Sequence, residues 1–179
     1  PTGAPYDASP LAIDHLAAVV RIEEYLSWQL YWRSLFGLQQ SFQADVIDPS
    51  GLVLSQPLQS PDGALRVTLN ASEALGTLSS RFVEHNLGGG YQHIALSTPD
   101  LLATAGRMAV KGADILPIPP NYHDDIAARF GLDDQRMAAL AQANILYDAD
   151  GTGEYLQLYS RAFRKRFFFE FVERDRYQG

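Results

Sequence analysis

Apolar residues recur along this chain at two spacings, and the two spacings divide it into strands and helices. LAIDHLAAVV, from Leu11 to Val20, is short and nearly continuous in apolar character, which predicts a strand. The next stretch, RIEEYLSWQLYWRSLFG, sets Ile22, Tyr25, Leu26, Leu30 and Trp32 at helical spacing and stops at Gly37, so a helix is expected there. Three β-like pieces follow, SFQADVID, GLVLSQPLQS and ALRVTLNAS, with turns at Pro49–Gly51 and Pro61–Gly63. The second half restarts the order. YQHIALSTPD reads as a strand. TPDLLATAGRMAVKG reads as a helix, with Ser97 or Thr98 to cap it, Pro99 in its first turn and Gly112 just past its end. ADILPIPP reads as a further strand. NYHDDIAARFGLDDQRMAALAQAN predicts two short inserted helices split at Gly131, the second started by Asp133 or Asp134. ILYDADGTGEYLQLYS predicts a hairpin turning at Asp150–Gly151, and RFFFEFVER a last strand.

The two halves therefore share a strand–helix–strands order, a weak internal repeat of a βαβββ unit. The expected organisation is a small, Pro-rich linker at 1–10, a first module at 11–90, and a second at 91–179 carrying the helical insertion at about 119–144. Two such modules can pair edge to edge into one curved sheet around a cavity, which makes the fold class α+β.

Three polar side chains break the apolar pattern. His15 and His93 sit in the first strand of each module, 78 residues apart. Alternation in FFFEFVER puts Phe168, Glu170 and Val172 on one face, and Phe167, Phe169 and Phe171 on the other. A carboxylate buried there is disfavoured unless it meets a positive charge. One reading is structural: satisfied core histidines, with Glu170 paired to Arg174 or Arg166. The other is chemical. Two imidazoles and one carboxylate converging from three strands form a facial ligand set with open coordination positions, which suits non-haem Fe(II), with manganese as an alternative. His85 and His123 fall in loop or insertion sequence and are expected to be solvated.

Composition narrows the classes. At 179 residues with 46% hydrophobic and 11% aromatic content, the chain folds as one domain or two small modules sharing a core. A formal net charge of −7 argues against a nucleic-acid partner. The basic cluster RAFRKR is expected to be a solvated hairpin tip. The absence of cysteine excludes disulfides, thiolate metal sites and thiol catalysis, and fits a cytoplasmic setting. No apolar run approaches the roughly 20 residues of a membrane span.

The segments IDHLAAVV, EHNLGGGYQHIALST, LPIPPNYHDDIAARF, GLDDQRMAALAQANILYDADGTGEYLQLYS and FFFEFVERD resemble, in order and over nearly the whole chain after residue 10, the catalytic C-terminal half of the 4-hydroxyphenylpyruvate dioxygenases. These belong to the vicinal oxygen chelate, glyoxalase-like fold. The resemblance implies that His15, His93 and Glu170 are metal ligands. It implies Fe(II) foremost as the metal, with manganese, cobalt or magnesium as alternatives. Ser55, Asn70 and Gln157 match polar pocket residues, Gln92 precedes the second ligand as in the family, and Tyr159 stands where the family usually has phenylalanine. The implied partners are a small aromatic 2-oxo acid and O2, in a homo-oligomer. The implied chemistry is oxidative decarboxylation with ring hydroxylation.

Three departures point elsewhere. Leu78 replaces a common pocket glutamine. The segment between Gln157 and Glu170 is about two residues short and basic. The chain stops at RDRYQG, without the family's C-terminal helix. These features resemble the dioxygenase-like domain that some bacteria fuse behind a 3-dehydroshikimate dehydratase barrel, so an N-terminal fused domain and an accessory role are also expected.

Overall fold

A computed structural model describes residues 11–41 and 43–177; the linker expected at 1–10 lies outside them. In chain order come β1 (Ala12–Val19), a 3-10 turn (Ile22–Glu24), α1 (Tyr25–Phe36), β2 (Gln39–Gln40), β3 (Ala44–Asp48), β4 (Gly51–Gln59), β5 (Arg66–Ala71), α2 (Leu78–Asn86), β6 (Gly90–Ser97), α3 (Leu101–Val110), α4 (Pro120–Phe130), α5 (Asp134–Ala143), β7 (Leu146–Ala149), β8 (Glu154–Tyr159) and β9 (Phe168–Asp175). The described strands form one mixed sheet in the order β2-β4-β5-β1-β6-β9-β8-β7, with β3 paired to β4. This is an α+β architecture, as the pattern predicts. No described helix is long and apolar enough to cross a membrane.

The chain divides into two compact units whose segments alternate along the sequence. One comprises residues 14–95 and 162–169, the other 11–13, 96–161 and 170–177 among those described.

In the unit of residues 14–95, β5 pairs parallel to β1 and antiparallel to β4. Alternation turns Ala18, Leu58, Val67, Leu69 and Ala71 to one face, where they pack with Val20, Tyr25 and Leu38. The helix α1 ends where expected, at Gly37 in the left-handed region with φ of 65°. Its inner face differs from the expected stripe. Tyr25 and Gln29 are its buried positions, while Leu26 and Leu30 are 75% and 64% exposed. The spacing finds the helix but not its rotation, because aromatic and aliphatic residues lie on several sides of it. The helix α2 went unread in the sequence. Thr77 caps it by accepting from the Ser80 amide, and Leu87 ends it in the left-handed region.

The buried Tyr25 hydroxyl has no hydrogen-bond partner among the described residues. Burial first, then the charge of Asp45, pushes its pKa up to about 12. A folded-state pKa above the unfolded value of about 10 gives stability that is full below pH 10 and lost as pH rises towards 12. The urea midpoint is therefore expected to hold to about pH 9 and fall above pH 10. Tyr25→Phe should flatten that fall and leave stability at pH 7 within about 0.5 kcal/mol. A Tyr25→Phe loss above about 1.5 kcal/mol at pH 7 would show that the hydroxyl is satisfied after all.

In the other unit, the core is Leu101, Ala105, Ile126, Leu140, Ile145, Tyr147, Leu156 and Leu158. Helices α3, α4 and α5 supply one side and the alternate residues of β7 and β8 the other. The inserted helices break at Gly131, φ 62°, and Asp133 caps the second by accepting from the Arg136 amide, as expected. Asp100, rather than Ser97 or Thr98, is the cap of α3, and Pro99 lies ahead of the helix rather than in its first turn. Glu173 reaches the same helix start, where its Oε2 accepts from the Leu101 amide at 2.7 Å. ADILPIPP is not a strand. Only a single bridge, Ile115 to Ser160, forms there, because three prolines in eight residues remove the amides a ladder needs. His123 is not solvated either: it is 8% exposed, with Nε2 at 3.3 Å from the Ile145 carbonyl. His85 is exposed, as expected.

Candidate functional site

Strand parity fixes what faces what in the unit of residues 14–95. Along β1 and β5 the pairs Ala17–Thr68 and Val19–Asn70 share one face, opposite the α1 core, and His15 belongs to the same row as Ala17 and Val19. Asn70 lies directly across from Ser55 on β4, so the serine and the carboxamide join that face. Ser55 is buried and Asn70 half-buried.

His15 is half-buried, and its Nδ1 lies 2.9 Å from Asp14 Oδ1. The other oxygen of Asp14 is 3.7 Å from Arg66 Nη1. Asp14 is only 8% exposed, so its charge is held between an imidazole and a guanidinium. That contact gives Nδ1 of His15 a carboxylate partner that fixes the ring's orientation. The ring of His93 approaches His15 edge-on, with centroids 5.6 Å apart and planes at 81°. Its other neighbour is Phe168, stacked at 4.6 Å. The two histidines read from the repeat thus lie ring against ring. Gln92, adjacent to His93 on β6, alternates to the opposite face and is buried there.

In the other unit, β8 turns Tyr155, Gln157 and Tyr159 to the face away from the Leu156 and Leu158 core. Tyr159 stands directly opposite Glu170 in the β8–β9 register. Glu170 is 3% exposed, and the Tyr155 hydroxyl donates to its Oε1 at 3.3 Å. The Tyr159 hydroxyl lies 2.6 Å from Gln157 Oε1. Burial first, then the charge of Glu170 and a hydrogen bond with it, holds the Tyr159 phenol well above its ordinary value of 10. Of the arginines weighed as partners for Glu170, Arg174 lies over the ring of Tyr155 at 4.2 Å and Arg166 is exposed at the hairpin tip. Leu78 opens α2 and is 67% exposed.

Sequence reasoning missed Asp14 and Tyr155. Asp14 carried the same signal as Glu170, an acid in an apolar strand. The signal of Tyr155 was its parity with Gln157.

No family model matches the chain. It is 40% identical over 163 residues to a 3-dehydroshikimate dehydratase of Pseudomonas putida, a match that covers 90% of this chain and 26% of that protein. It is 28% identical to a 4-hydroxyphenylpyruvate dioxygenase of Legionella pneumophila over 94% of this chain and 49% of that one. Among solved structures, a xylose isomerase-like TIM barrel/4-hydroxyphenylpyruvate dioxygenase fusion protein superposes with a TM-score of 0.75 at 37% identity, over 93% of this chain and 26% of that one. A variant of 4-hydroxymandelate synthase from Streptomyces coelicolor gives a TM-score of 0.84 at 20% identity, over 94% of this chain and 50% of that one, a likeness of fold alone. The chain thus spans about a quarter of the length of the dehydratase and about half that of the dioxygenase. Its homologues include both kinds of protein, and its fold is the vicinal oxygen chelate fold.

Proposed function

We propose that this relative of the 4-hydroxyphenylpyruvate dioxygenases and of the dehydratase fusions is a metal-binding dioxygenase-like domain, of the kind carried behind a dehydratase barrel, with His15, His93 and Glu170 holding Fe(II). The observation that carries the reading is the meeting of the His15 and His93 rings, centroids 5.6 Å apart, with Asp14 on the Nδ1 of His15; Glu170, 3% exposed in its own unit, is the carboxylate that the resemblance supplies. The donor chemistry fits: two imidazoles and one carboxylate suit a divalent first-row metal and leave coordination positions open. Bound Fe(II) would supply Lewis acidity and the redox capacity to couple oxidation of a 2-oxo acid to reduction of dioxygen.

The chain's own residues do the remaining work. Asp14 orients the His15 ring through Nδ1 and raises the basicity of the other nitrogen. Tyr155 fixes one oxygen of Glu170. Ser55, Asn70 and Gln157 offer polar contacts to an aromatic 2-oxo acid, and Val19 and Ala17, fully buried beside His15, exclude water from that row. A homo-oligomer and a fused N-terminal barrel belong to the same proposal.

Oxygen consumption with Fe(II), ascorbate and 4-hydroxyphenylpyruvate tests it, with homogentisate as the product assayed. Metal binding with turnover far below about 1 per second is the result expected of an accessory domain. Turnover in the ordinary enzyme range of about 1–10³ per second would instead establish a working dioxygenase. Asp14→Asn is expected to weaken Co(II) affinity about 10- to 100-fold without unfolding the chain, read by competition with a chromophoric chelator. Unchanged affinity would remove Asp14 from the site.

A further inference from the structure

The helix α1 is built inside out. Eight of its twelve residues are aromatic or leucine, yet Gln29 is one of its buried positions, where Oε1 accepts from Gln40 Nε2 at 2.7 Å. A helix apolar on every side belongs in the interior of a protein. Here Tyr25 and Gln29 take the inner face, and two apolar flanks stay exposed. On one flank Trp28 and Tyr31 pack on each other, ring centroids 5.4 Å apart, and the Trp28 indole donates to Glu24. On the other flank Leu26 and Leu30 join neither core cluster of the described residues. Glu23 and Arg33 extend that flank at its two ends. Both are exposed, and neither forms an ion pair among the described residues. Glu23, Leu26, Leu30 and Arg33 follow one another at intervals of 3, 4 and 3 residues, the spacing of a single helical seam. That spacing reads the same in both directions. Beside Leu30 and Arg33 an open cavity of about 540 Å³ lies between α1 and β2, the strand at the edge of the sheet.

We propose that a second copy of this chain covers the face, α1 packing antiparallel on α1 about a two-fold axis that passes between Leu26 and Leu30. A palindromic seam is what such an axis requires, because turned end for end it meets itself. Leu26 of each copy falls against Leu30 of the other, and Glu23 of each lies across from Arg33 of the other. The contact buries four leucines and makes two ion pairs, and the cavity beside Arg33 leaves room for the incoming acid. Charge selects both the occupant and its direction. An antiparallel copy matches both ends of the seam, whereas a parallel copy would set Glu23 on Glu23 and Arg33 on Arg33. The seam spans only about 15 Å. The dimer is therefore weak, with a dissociation constant on the order of 10 μM rather than nanomolar. This rests on the homo-oligomer of the reading above and gives it a surface, and it does not depend on the metal.

Sedimentation velocity of the metal-free full chain between about 1 and 200 μM reads the association. The wild type is expected to pass from monomer to dimer across that range. Leu30→Lys should stay monomeric to the top of it. At the lowest concentration its melting temperature should match the wild type within about 4 °C, because the side chain it replaces is exposed. Glu23→Arg and Arg33→Glu each set like charges against one another at both ends of the seam, and each should weaken self-association about tenfold or more. Mixed one to one, the two variants should associate as tightly as the wild type. Glu23 of one then meets Arg33 of the other, and the reversed pair forms at the far end. If the two charges served only the dipole of their own helix, neither variant would lose self-association and mixing would restore nothing. A wild type still monomeric at about 200 μM overturns the proposal together with the homo-oligomer, and leaves the face to a different partner. A wild-type dimer that survives Leu30→Lys, or variants that fail to associate when mixed, overturns this surface alone.

Discussion

His93→Ala is expected to reduce metal content from about one equivalent of Fe(II) or Co(II) per chain to less than about a tenth, at concentrations where the wild type is saturated. Loss of an orienting neighbour alone weakens metal sites about 10- to 100-fold, and loss of a ligand removes more than that. The structural alternative is a packing role, because the His93 ring stacks on Phe168 at 4.6 Å and meets His15 edge-on. Packing and ligation separate cleanly. His93→Phe keeps an aromatic ring on Phe168 but offers no nitrogen, so it should retain the thermal stability of the apo protein and lose the metal. Elemental analysis after loading and gel filtration reads the content. Stoichiometric metal in either variant would show that the ligand assignment is wrong.

The largest effect on stability is expected at Leu158. Its side chain is fully buried among Leu101, Leu140 and Ile145. Truncation to alanine removes three carbons from a packed core that collapses only partly, which costs about 2–5 kcal/mol. Against a usual total of about 5–15 kcal/mol, that is a large share of the whole. Leu78→Ala, at a leucine 67% exposed, should stay within about 0.5 kcal/mol and serves as the control. Urea unfolding with a shared slope measures both. A Leu158→Ala loss below about 1 kcal/mol would mean that the core around β8 is not packed as described.

The sequence disclosed element types more readily than faces. Gly37, Gly112 and Gly131 mark helix ends because left-handed backbone is a local property of one residue, and all three have positive φ. His15, His93 and Glu170 stand out in the sequence because each breaks an apolar strand. What stayed hidden depended on neighbours far along the chain. The exposure of Leu26 and Leu30 follows from which side of α1 meets β5, and no local spacing encodes that. Asp14 acquires a role only when β5 brings Arg66 beside it. The role of Tyr155 needs the β8–β9 register, which brings its hydroxyl to a residue 15 positions on. In ADILPIPP three prolines outweigh the apolar content. His123 is the reverse case: its insertion is polar in sequence, yet α4 lays it against the Ile145 carbonyl.

The alternation of the two units along the sequence has a consequence for how the chain is made. Residues 162–169 belong with 14–95, and 170–177 belong with 96–161. A ribosome delivers the chain from its N-terminal end at about 5–20 residues per second, and domains built from contiguous sequence fold as they emerge. Neither unit here has that option, because each waits for a strand's worth of residues near position 170. Folding of both units therefore waits until the residues near position 170 have emerged, with pairings of high sequence separation and a correspondingly slow search. Nascent chains arrested before residue 162 should keep residues 14–161 protease-sensitive, and protection should arrive for both units within the same few residues.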